Sequence, residues 1–403
     1  MRIFFLAHRV PFPPNKGDKI RAFHELRGLA ERGHEVHLFT LADDPRDLAH
    51  ADALRRWCAS VTIQPLSTRV AALRGALALA TTGSLSVAYF HDRRLASAVR
   101  AACVARLPEA FVAYCSAMAQ YVPASYRSQT VADLVDVDSE KWLQYASTSS
   151  FPLSWLYRRE FRRLRTIERT IAATCHATVL TTPREVALLD ADGAHGVVSL
   201  VNGVDLEYFA PHVSDAPPRT GEGPWVVFSG AMDYRANVDA VGWFAAEIWP
   251  AIRRSHPTAR FVIVGRNPRP EVSALHATNG IVVTGEVEDV RPFLHGAAVC
   301  VAPLRIARGI QNKVLEAMAC GRPVVVTGEV AQCLSVAPSA GAYLATDTAE
   351  GIAAAVSSLL DRPGVAQALG ASGRQYVEQH HDWGRMLDAF ERLVSAAGRR
   401  AAA

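Results

Sequence analysis

Short apolar runs alternate with helical patterns through most of this chain, and that alternation is the strongest constraint on its fold. Twelve runs have the length of strands: Arg2–His8, His34–Leu41, Val61–Leu66, Phe111–Cys115, Val131–Val137, Thr178–Thr182, Val197–Val201, Trp225–Ser229, Ala259–Val264, Ile281–Thr284, Ala297–Leu304 and Arg322–Thr327. Continuous apolar runs separated by helices are typical of parallel strands whose sheet is covered on both faces. The sequence therefore predicts an α/β protein built on doubly wound parallel sheets.

The length of the chain allows two such sheets. It has 403 residues, of which 50% are hydrophobic, enough for two domains with separate cores. Residues 1–211 form the predicted first domain, and the polar, Pro- and Gly-rich residues 212–223 form a linker. Residues 224–378 form the predicted second domain, which we expect to face the first across a cleft. Apolar residues at helical spacing predict a terminal helix over 379–398 that crosses back to the first domain.

Composition disfavours several classes of protein. The net charge of +4 is too small to argue for a nucleic acid partner. Seven cysteines without a C-x-x-C pair are typical of buried thiols in a reducing compartment, and no cluster has metal-ligand spacing. The start has an apolar core of only five residues before His8, which favours a strand over a signal peptide. No run of 18 apolar residues exists, so we expect no membrane span. Together, these features predict a cytoplasmic protein that holds no metal.

The stretch Val299–Thr327 carries the clearest chemical pattern. After an apolar run, a loop contains Arg305, Arg308 and Gly309. A helix is predicted next, from about Ile310 to Cys320. Free backbone N–H groups, the positive end of the helix dipole and two cations then face one point, which favours an anion such as phosphate.

Lys313 and Glu316 lie three residues apart and so share one face of this helix. A carboxylate such as Glu316 suits a ribose, because its two oxygens can accept hydrogen bonds from two hydroxyl groups. The pattern therefore predicts a nucleotide site. The alternative is a solvated ion pair worth roughly 0.3 kcal/mol, with Arg305 and Arg308 as ordinary surface charges. The residues alone leave both interpretations open.

The same residues resemble a known family. The pattern PL-R-x-x-x-G-x-x-x-K-x-LEAMA-x-G-x-PVV is similar to the donor-binding signature of family 4 glycosyltransferases, retaining enzymes with the GT-B fold of two Rossmann-like domains. The resemblance implies that Glu316 holds the nucleotide ribose. It implies that the helix start, with Gly309 and Ile310, holds the diphosphate of a nucleotide sugar, and that Gly285 and Val287 contact the nucleobase through their backbone.

Two departures from the family pattern change which residues we expect at the diphosphate. Many relatives place an Arg and a Lys where this chain has Ala231 and Ala236. The charge is therefore expected from other cations: Arg235, Arg305, Arg308 and Lys313. Arg308 also stands where many members carry a glutamate. With the Pro-x-Pro-Pro-Asn-Lys-Gly start, these departures resemble the sugar transferases of exosortase/PEP-CTERM surface-polysaccharide systems.

The resemblance implies a retaining hexosyltransferase that uses a nucleotide-diphosphate sugar and a glycan or lipid-linked glycan acceptor, in bacterial surface polysaccharide synthesis. Transfer on the front face of the donor needs no metal, and the candidate catalytic residues are Asp138, Arg308 and Lys313. An epimerase of the same fold and a non-catalytic nucleotide-sugar-binding subunit are the alternatives. A nicotinamide dehydrogenase is disfavoured, because neither domain's first loop reads G-x-G-x-x-G.

Two strand-to-helix loops carry glycines that we expect near the ligands. In the second domain Gly230 permits close approach of the backbone, and Asn237 is placed to cap the next helix. In the first domain Gly17 and Lys19 are candidates for contacts with the donor phosphates or the acceptor. Asp18 fits an N-cap there. A plain strand-to-helix turn is the alternative for this first loop.

A third loop follows Val131–Val137 and contains two aspartates. Asp136 or Asp138 could orient an acceptor hydroxyl, and Trp142 could stack on a sugar ring. Many relatives carry a histidine around this loop, and this chain has none there. The alternative is that at least one aspartate caps the following turn.

The segment Trp155–Arg169 is rich in arginine. Four of its arginines fall on one helical face: Arg158, Arg162, Arg165 and Arg169. This face could contact anionic headgroups at the inner membrane or grip an anionic acceptor, and the apolar segment Val70–Ala80 could add a membrane-facing patch. The alternative is a solvated face partly neutralised by Glu160 and Glu168.

Overall fold

The computed structural model describes residues 1–14, 17–81, 83–189, 196–211, 223–307, 309–334 and 341–399. The chain divides into two compact units, Met1–Val201 with Gly384–Ala403, and Asn202–Trp383. The expected linker 212–223 lies outside the described residues except for Gly223, and so does the candidate residue Arg308.

The strands match the apolar runs closely. The described residues contain β1 Arg2–Ala7, β2 Glu35–Ala42, β3 Ser60–Pro65, β4 Ala110–Tyr114, β5 Thr130–Val135, β6 Ala177–Leu180, β7 Val197–Ser199, β8 Trp225–Ser229, β9 Arg260–Val264, β10 Ile281–Gly285, β11 Ala297–Ala302, β12 Val324–Val326 and β13 Leu344–Ala345. All twelve predicted strands are present. The two-residue strand β13 was not predicted, because two residues carry no periodic signal.

Helices follow most of the strands. The described α-helices are α1 Gly17–Glu31, α2 Ala51–Leu54, α3 Thr68–Leu77, α4 Leu85–Tyr89, α5 Arg93–Arg106, α6 Asp138–Ser147, α7 Leu153–Thr174, α8 Pro183–Leu189, α9 Arg235–Trp243, α10 Trp249–Ser255, α11 Pro270–Ser273, α12 Arg291–Gly296, α13 Asn312–Ala319, α14 Gly328–Ala331, α15 Ala349–Asp361, α16 Pro363–His380 and α17 Trp383–Arg399. Short 3-10 helices cover Pro45–His50, Ala78–Ala80, Ser116–Tyr121 and Ala124–Gln129, and a π-helical turn covers Phe244–Ile248.

Each unit is built on one parallel sheet. The first has seven strands in the order β3-β2-β1-β4-β5-β6-β7, and the second has six in the order β10-β9-β8-β11-β12-β13. Every strand pair is parallel. The central strands β4 and β8 are buried along their whole length, as strands covered on both faces must be. The predicted architecture of two Rossmann-like, doubly wound sheets is confirmed.

The strand order locates a crevice in each sheet. In the first sheet, β2 and β3 lie on one side of β1 and β4 lies on the other side. In the second sheet, β9 and β10 lie on one side of β8 and β11 lies on the other side. In open α/β sheets, ligands bind at the carboxyl ends of the strands at such a switch point. The residues that follow these strand ends include His8, Cys115, Gly230 and the loop after Ala302.

Two glutamates of the arginine-rich helix α7 are fully buried, which corrects the expectation that they neutralise a solvated face. Glu160 accepts hydrogen bonds from the hydroxyls of Ser84 and Ser86, at 2.6 and 2.8 Å, and from the backbone N–H groups of Leu85 and Ser86, at 2.7 and 2.9 Å. It thereby satisfies free donors at the start of α4.

Glu168 likewise satisfies free donors at the start of α6. It accepts hydrogen bonds from the backbone N–H of Ser139, at 3.1 Å, and from the Ser139 hydroxyl, at 2.5 Å. Burial raises the pKa of Glu168 to about 8, against the effect of the Ser139 hydrogen bond. Helix α7 therefore carries buried caps for two other helices.

We expect Glu160→Ala to lower the free energy of unfolding by about 3 kcal/mol, because it leaves several buried donors unpaired. Denaturant titration would measure this loss, and hydrogen exchange at the Leu85 and Ser86 amides would show that α4 opens first. Arg158→Ala, at an exposed position of the same helix, should change stability by less than about 0.5 kcal/mol. Equal stability of the two variants would contradict the capping role.

Candidate functional site

The start of α13 lies beside the carboxyl end of β8. Gly230 follows β8 with φ 152°, and a Cβ there would lie 2.8 Å from Nδ2 of Asn237 and 3.0 Å from Nζ of Lys313. Both the backbone conformation and the space thus favour glycine. The predicted close approach at Gly230 is to the side chains of this chain.

Asn237 links the loop after β8 to Lys313 of α13, which corrects its expected role as a helix cap. Helix α9 begins at Arg235, with Tyr234 at the cap position. The Asn237 amide donates to the carbonyl of Ala231 at 2.9 Å, and its oxygen accepts a 2.5 Å hydrogen bond from Nζ of Lys313. That Nζ also lies 4.3 Å from the ring centroid of Phe228, a cation–π contact. Lys313 is therefore held in one position at the end of β8.

Lys313 and Glu316 are half-buried on α13. Burial lowers the pKa of Lys313 to about 7, although Glu316 opposes this shift. Burial also raises the pKa of Glu316 to about 7, although Lys313 opposes that shift. Partial burial thus disfavours the charged form of both groups, and pKa values shifted in this way are typical of functional sites.

The loop before α13 contains both buried and exposed residues. Gly309 has φ 56° and Ile310 is buried, so the chain turns tightly before the helix begins at Asn312. Arg305 is exposed and bound to Asp239 through hydrogen bonds of 3.0 and 2.5 Å. Its guanidinium also lies 5.3 Å from the ring centroid of Trp243.

The remaining predicted cation of this unit, Arg235, is exposed at the first position of α9. Of the predicted cations that the structure describes here, Lys313 is the one placed against Gly230.

Three glycines line the carboxyl ends of β8, β9 and β10. Gly230, Gly265 and Gly285 have φ values of 152°, 159° and 72°. The N–H of Gly265 donates to the carbonyl of Gly285 at 3.1 Å, and a Cβ on Gly265 would clash with the carbonyl of Gly230. Gly265 was missed, although it ends an apolar run as Gly230 and Gly285 do. Val287, predicted with Gly285, is half-buried two residues further on.

In the first unit, His8 occupies the carboxyl end of β1. Its Nε2 lies 3.4 Å from the Asp18 carboxylate, and its ring stacks on Tyr114 with 5.9 Å between centroids. Burial opposes the charge of His8, but nearby Cys115 and Asp18 raise its pKa to about 10. His8 was missed; its position directly after a strand at the switch point is the signal that could have found it.

Asp18 is not the N-cap of α1, because the helix already begins at Gly17. Its carboxylate pairs with Arg9 at 2.7 Å as well as with His8. Lys19 is buried and bound to both oxygens of Asp47 at 2.8 Å. Lys19 is therefore neutralised inside the first unit, and Gly17 marks a strand-to-helix connection.

The two aspartates after β5 do not cap the next turn, which corrects that alternative. The residue before α6 is Val137, whose N–H donates to Glu185 at 2.7 Å, while Glu168 satisfies the N–H of Ser139. Asp136 instead accepts a 2.7 Å hydrogen bond from the Thr181 hydroxyl. Glutamates, and not these aspartates, therefore accept the hydrogen bonds around the start of α6.

Both aspartates have raised pKa values. Burial, with the charge of Glu185, raises the pKa of Asp136 to about 7 despite the Thr181 hydrogen bond. Burial raises the pKa of Asp138, while Lys141 and His8 oppose this shift. The residue just before Asp136, Val135, has φ 67°, a strained conformation for a β-branched side chain. Strain and perturbed pKa values together are typical of functional sites.

The remaining predicted first-unit residues lie on α6 and α7. Trp142 is half-buried and packs against Tyr145 and Tyr157, with centroid distances of 6.1 and 5.5 Å. Arg158 and Arg162 are exposed. Arg165, expected on the same face, is bound to Glu140 at 3.2 Å.

Two structural features are absent from the described residues. No helix among them combines the length and apolar character that crossing a bilayer requires. No group of three His, Cys, Asp or Glu side chains in that part of the chain is arranged to hold a metal ion.

Comparison with known proteins gives the following matches. Residues 223–362 match the model of the family "Glycosyl transferases group 1". Glycogen synthase of Mycobacterium tuberculosis is 26% identical over 257 residues, which cover 61% of this chain and 56% of that protein. The chain thus spans little more than half the length of this curated relative.

Two solved structures resemble the whole chain. Sucrose-phosphate synthase from Thermosynechococcus elongatus has a TM-score of 0.75 at 19% identity, with full coverage of both chains. Anabaena HepE in complex with UDP has a TM-score of 0.68 at 12% identity, covering 98% of this chain and 100% of that one. These similarities establish the fold. Residues 223–362 therefore resemble the glycosyl transferases group 1 family, in a chain with the GT-B fold.

Proposed function

We propose that the protein is a glycosyltransferase that moves a hexosyl-type sugar from a nucleotide-diphosphate donor to a glycan or lipid-linked glycan. We further propose that transfer retains the anomeric configuration, requires no metal, and serves bacterial surface polysaccharide synthesis of the exosortase/PEP-CTERM type. The family match over residues 223–362 and the similarity to a structure that contains UDP support the donor class.

The observation that carries the proposal is the arrangement of Lys313 and Glu316. Both side chains sit on one face of α13, both are desolvated, and Lys313 is fixed against Gly230 by Asn237. In the proposed complex Lys313 and the start of α13 bind the diphosphate, and Glu316 accepts hydrogen bonds from the ribose hydroxyls. Gly285 and Val287 offer backbone groups to the base.

The proposed chemistry rests on stabilising the leaving diphosphate. As the bond from the sugar to the phosphate breaks, negative charge collects on the diphosphate, where Lys313 and the helix dipole are already in place. Arg308 and Arg235 are proposed to add positive charge. The phosphate oxygen takes the acceptor's proton, so the protein needs no pair of catalytic carboxylates.

The first unit is proposed to hold the acceptor. Asp136 is held by Thr181 with a pKa near neutrality, so it can accept a hydrogen bond from an acceptor hydroxyl and orient its oxygen. Asp138 and His8 complete this cluster at the carboxyl ends of the strands. Trp142 offers an aromatic surface beside it.

Thermal unfolding with a panel of nucleoside diphosphates and their sugars, in the presence of chelator, tests the donor site. We expect one nucleotide family at about 100-fold over its Kd to stabilise the wild type by about 2.7 kcal/mol. Glu316→Ala should abolish the shift, whereas Glu271→Ala, an exposed carboxylate of the same unit, should keep it. Absence of a shift with every nucleotide, or an equal shift in Glu316→Ala, would contradict the proposed donor site.

Turnover separates this proposal from its alternatives. A transferase releases nucleoside diphosphate when donor and acceptor are both present. Conversion of the donor without acceptor would identify an epimerase instead. Binding without any turnover would identify a nucleotide-sugar-binding subunit.

We expect nucleotide affinity to peak near pH 7. Below about pH 7 Glu316 becomes protonated and loses acceptor capacity, and above about pH 7 Lys313 loses its charge. Calorimetric titration between pH 5.5 and 8.5 should show affinity falling on both sides, by at most about tenfold per pH unit for each group. Lys313→Arg, which stays charged, should remove the alkaline loss. A flat profile in the wild type would contradict these assignments.

We expect Asp136→Asn to lower kcat/KM for the acceptor by roughly 100-fold, because an amide orients the hydroxyl less well than a carboxylate. Steady-state transfer assays at saturating donor would measure the loss. Nucleotide binding should stay unchanged, and Asp52→Asn, at a highly exposed site in the same unit, should behave as wild type. Full acceptor use by Asp136→Asn would remove Asp136 from the site.

A further inference from the structure

Helix α3 packs with its small side chains inward and its large apolar side chains outward. The buried residues of this helix and its 3-10 extension are Ala71, Gly75 and Ala78, and a Cβ on Gly75 would lie 3.6 Å from the carbonyl of Leu85. The exposed large residues are Val70, Leu73, Leu77 and Leu79. A surface helix of a soluble protein has the opposite distribution, because burial of large apolar side chains is what stabilises it.

The start of α7 extends this apolar surface. Phe151, Leu153 and Trp155 are exposed. One turn after Trp155, the guanidinium of Arg159 donates to the carbonyls of Ala78, at 2.9 Å, and of Thr81, at 2.6 Å. These hydrogen bonds fix the end of α3 beside the start of α7.

We call the exposed apolar residues of the two segments the apolar patch: Val70, Leu73, Leu77, Leu79, Phe151, Leu153 and Trp155. Their exposed fractions lie between 40% and 80%. Among the described residues, 15 large apolar side chains are exposed, and these seven lie in only two short segments. Scattered exposed apolar residues are ordinary on protein surfaces, whereas a concentration of this kind marks an interaction site.

The exposed charges of these two segments have one sign. Arg69, Arg158, Arg162 and Arg163 are exposed, and residues 66–90 contain no acidic residue. The acidic residues of α7, Glu160 and Glu168, are both fully buried as helix caps. No exposed acidic side chain in either segment therefore opposes the arginines.

We propose that the apolar patch and these arginines dock the first unit on an anionic lipid bilayer. Large apolar side chains with an aromatic ring enter the boundary between headgroups and acyl chains, and each arginine near the surface adds about 1 kcal/mol of attraction to anionic lipid. The uniform positive charge selects an anionic bilayer over a second copy of this chain, whose identical arginines would be brought together. The proposal goes beyond the transferase function, because docking requires neither donor nor acceptor.

Vesicle flotation of the full chain tests the proposal. At 150 mM salt we expect the wild type to float with phosphatidylglycerol/phosphatidylcholine vesicles in a 3:7 ratio, and not with phosphatidylcholine alone. Leu73→Ser/Leu77→Ser should lower the bound fraction at least fivefold, and Arg158→Glu/Arg162→Glu should do the same. Raising the salt to 1 M should weaken binding of the wild type.

Matched variants on α5 of the same unit serve as controls. Val104→Ser removes an exposed apolar side chain, and Arg94→Glu/Arg100→Glu makes the same change in charge at exposed positions. Both should bind vesicles as the wild type does. Thermal unfolding of each variant would verify that it is folded.

Several results would overturn the proposal. These are the absence of wild-type flotation with anionic vesicles, equal flotation with neutral vesicles, and equal losses in the α5 controls. Light scattering adds one more: a wild-type dimer that Leu73→Ser/Leu77→Ser dissociates would assign the patch to a second copy. Nucleotide binding, measured separately, is expected in every variant, so failure here leaves the proposed transferase function intact.

Discussion

Buried carboxylates that satisfy backbone N–H groups hold several helices of the first unit in place. Glu160 and Glu168 of α7 and Glu185 of α8 accept hydrogen bonds at the starts of α4 and α6 and from the residue before α6. A buried N–H without a partner costs about as much as a lost hydrogen bond, so these contacts are obligatory. Because Glu168 and Glu185 accept the hydrogen bonds around the start of α6, Asp136 is left to accept one from Thr181 instead. The same arrangement removes both acidic side chains of α7 from solvent, whereas Arg158, Arg162 and Arg163 stay exposed.

Much of the fold could be predicted from the sequence. Parallel strands buried on both faces must be apolar throughout. Runs such as Trp225–Ser229 and Arg2–Ala7 can therefore be recognised without knowledge of the neighbouring strands. The stretch that we propose to bind the donor carries a pattern in the sequence for a similar reason. Its chemistry is local: Gly309, Lys313 and Glu316 lie within eight residues, and one helix fixes their relation. The strand β13, at two residues, offers no pattern at all.

The errors and omissions have one physical origin, which is that their partners lie far away in sequence. Asn237 was expected to cap its own helix, but its oxygen binds Lys313, 76 residues later. One of the two interpretations of α7 placed Glu160 in solvent, but its donors lie 74 to 76 residues earlier. His8 and Gly265 owe their significance to the neighbouring strands, which only the sheet order brings near. Residues on one face of a helix recur at a fixed spacing in the sequence, whereas side-chain partners on different strands do not.

The last helix completes the first unit. Leu387 of α17 packs onto Gly28 of α1, Asp388 pairs with Arg32, and Glu391 lies 3.3 Å from His34. Gly398 packs against the side chain of Met1. During synthesis on the ribosome, Met1 can therefore contact Gly398 only after nearly 400 residues have been made. The second unit is continuous from Asn202 to Trp383 and can fold once it has been synthesised. The packing of the first unit can therefore be completed only after the whole of the second unit has been synthesised.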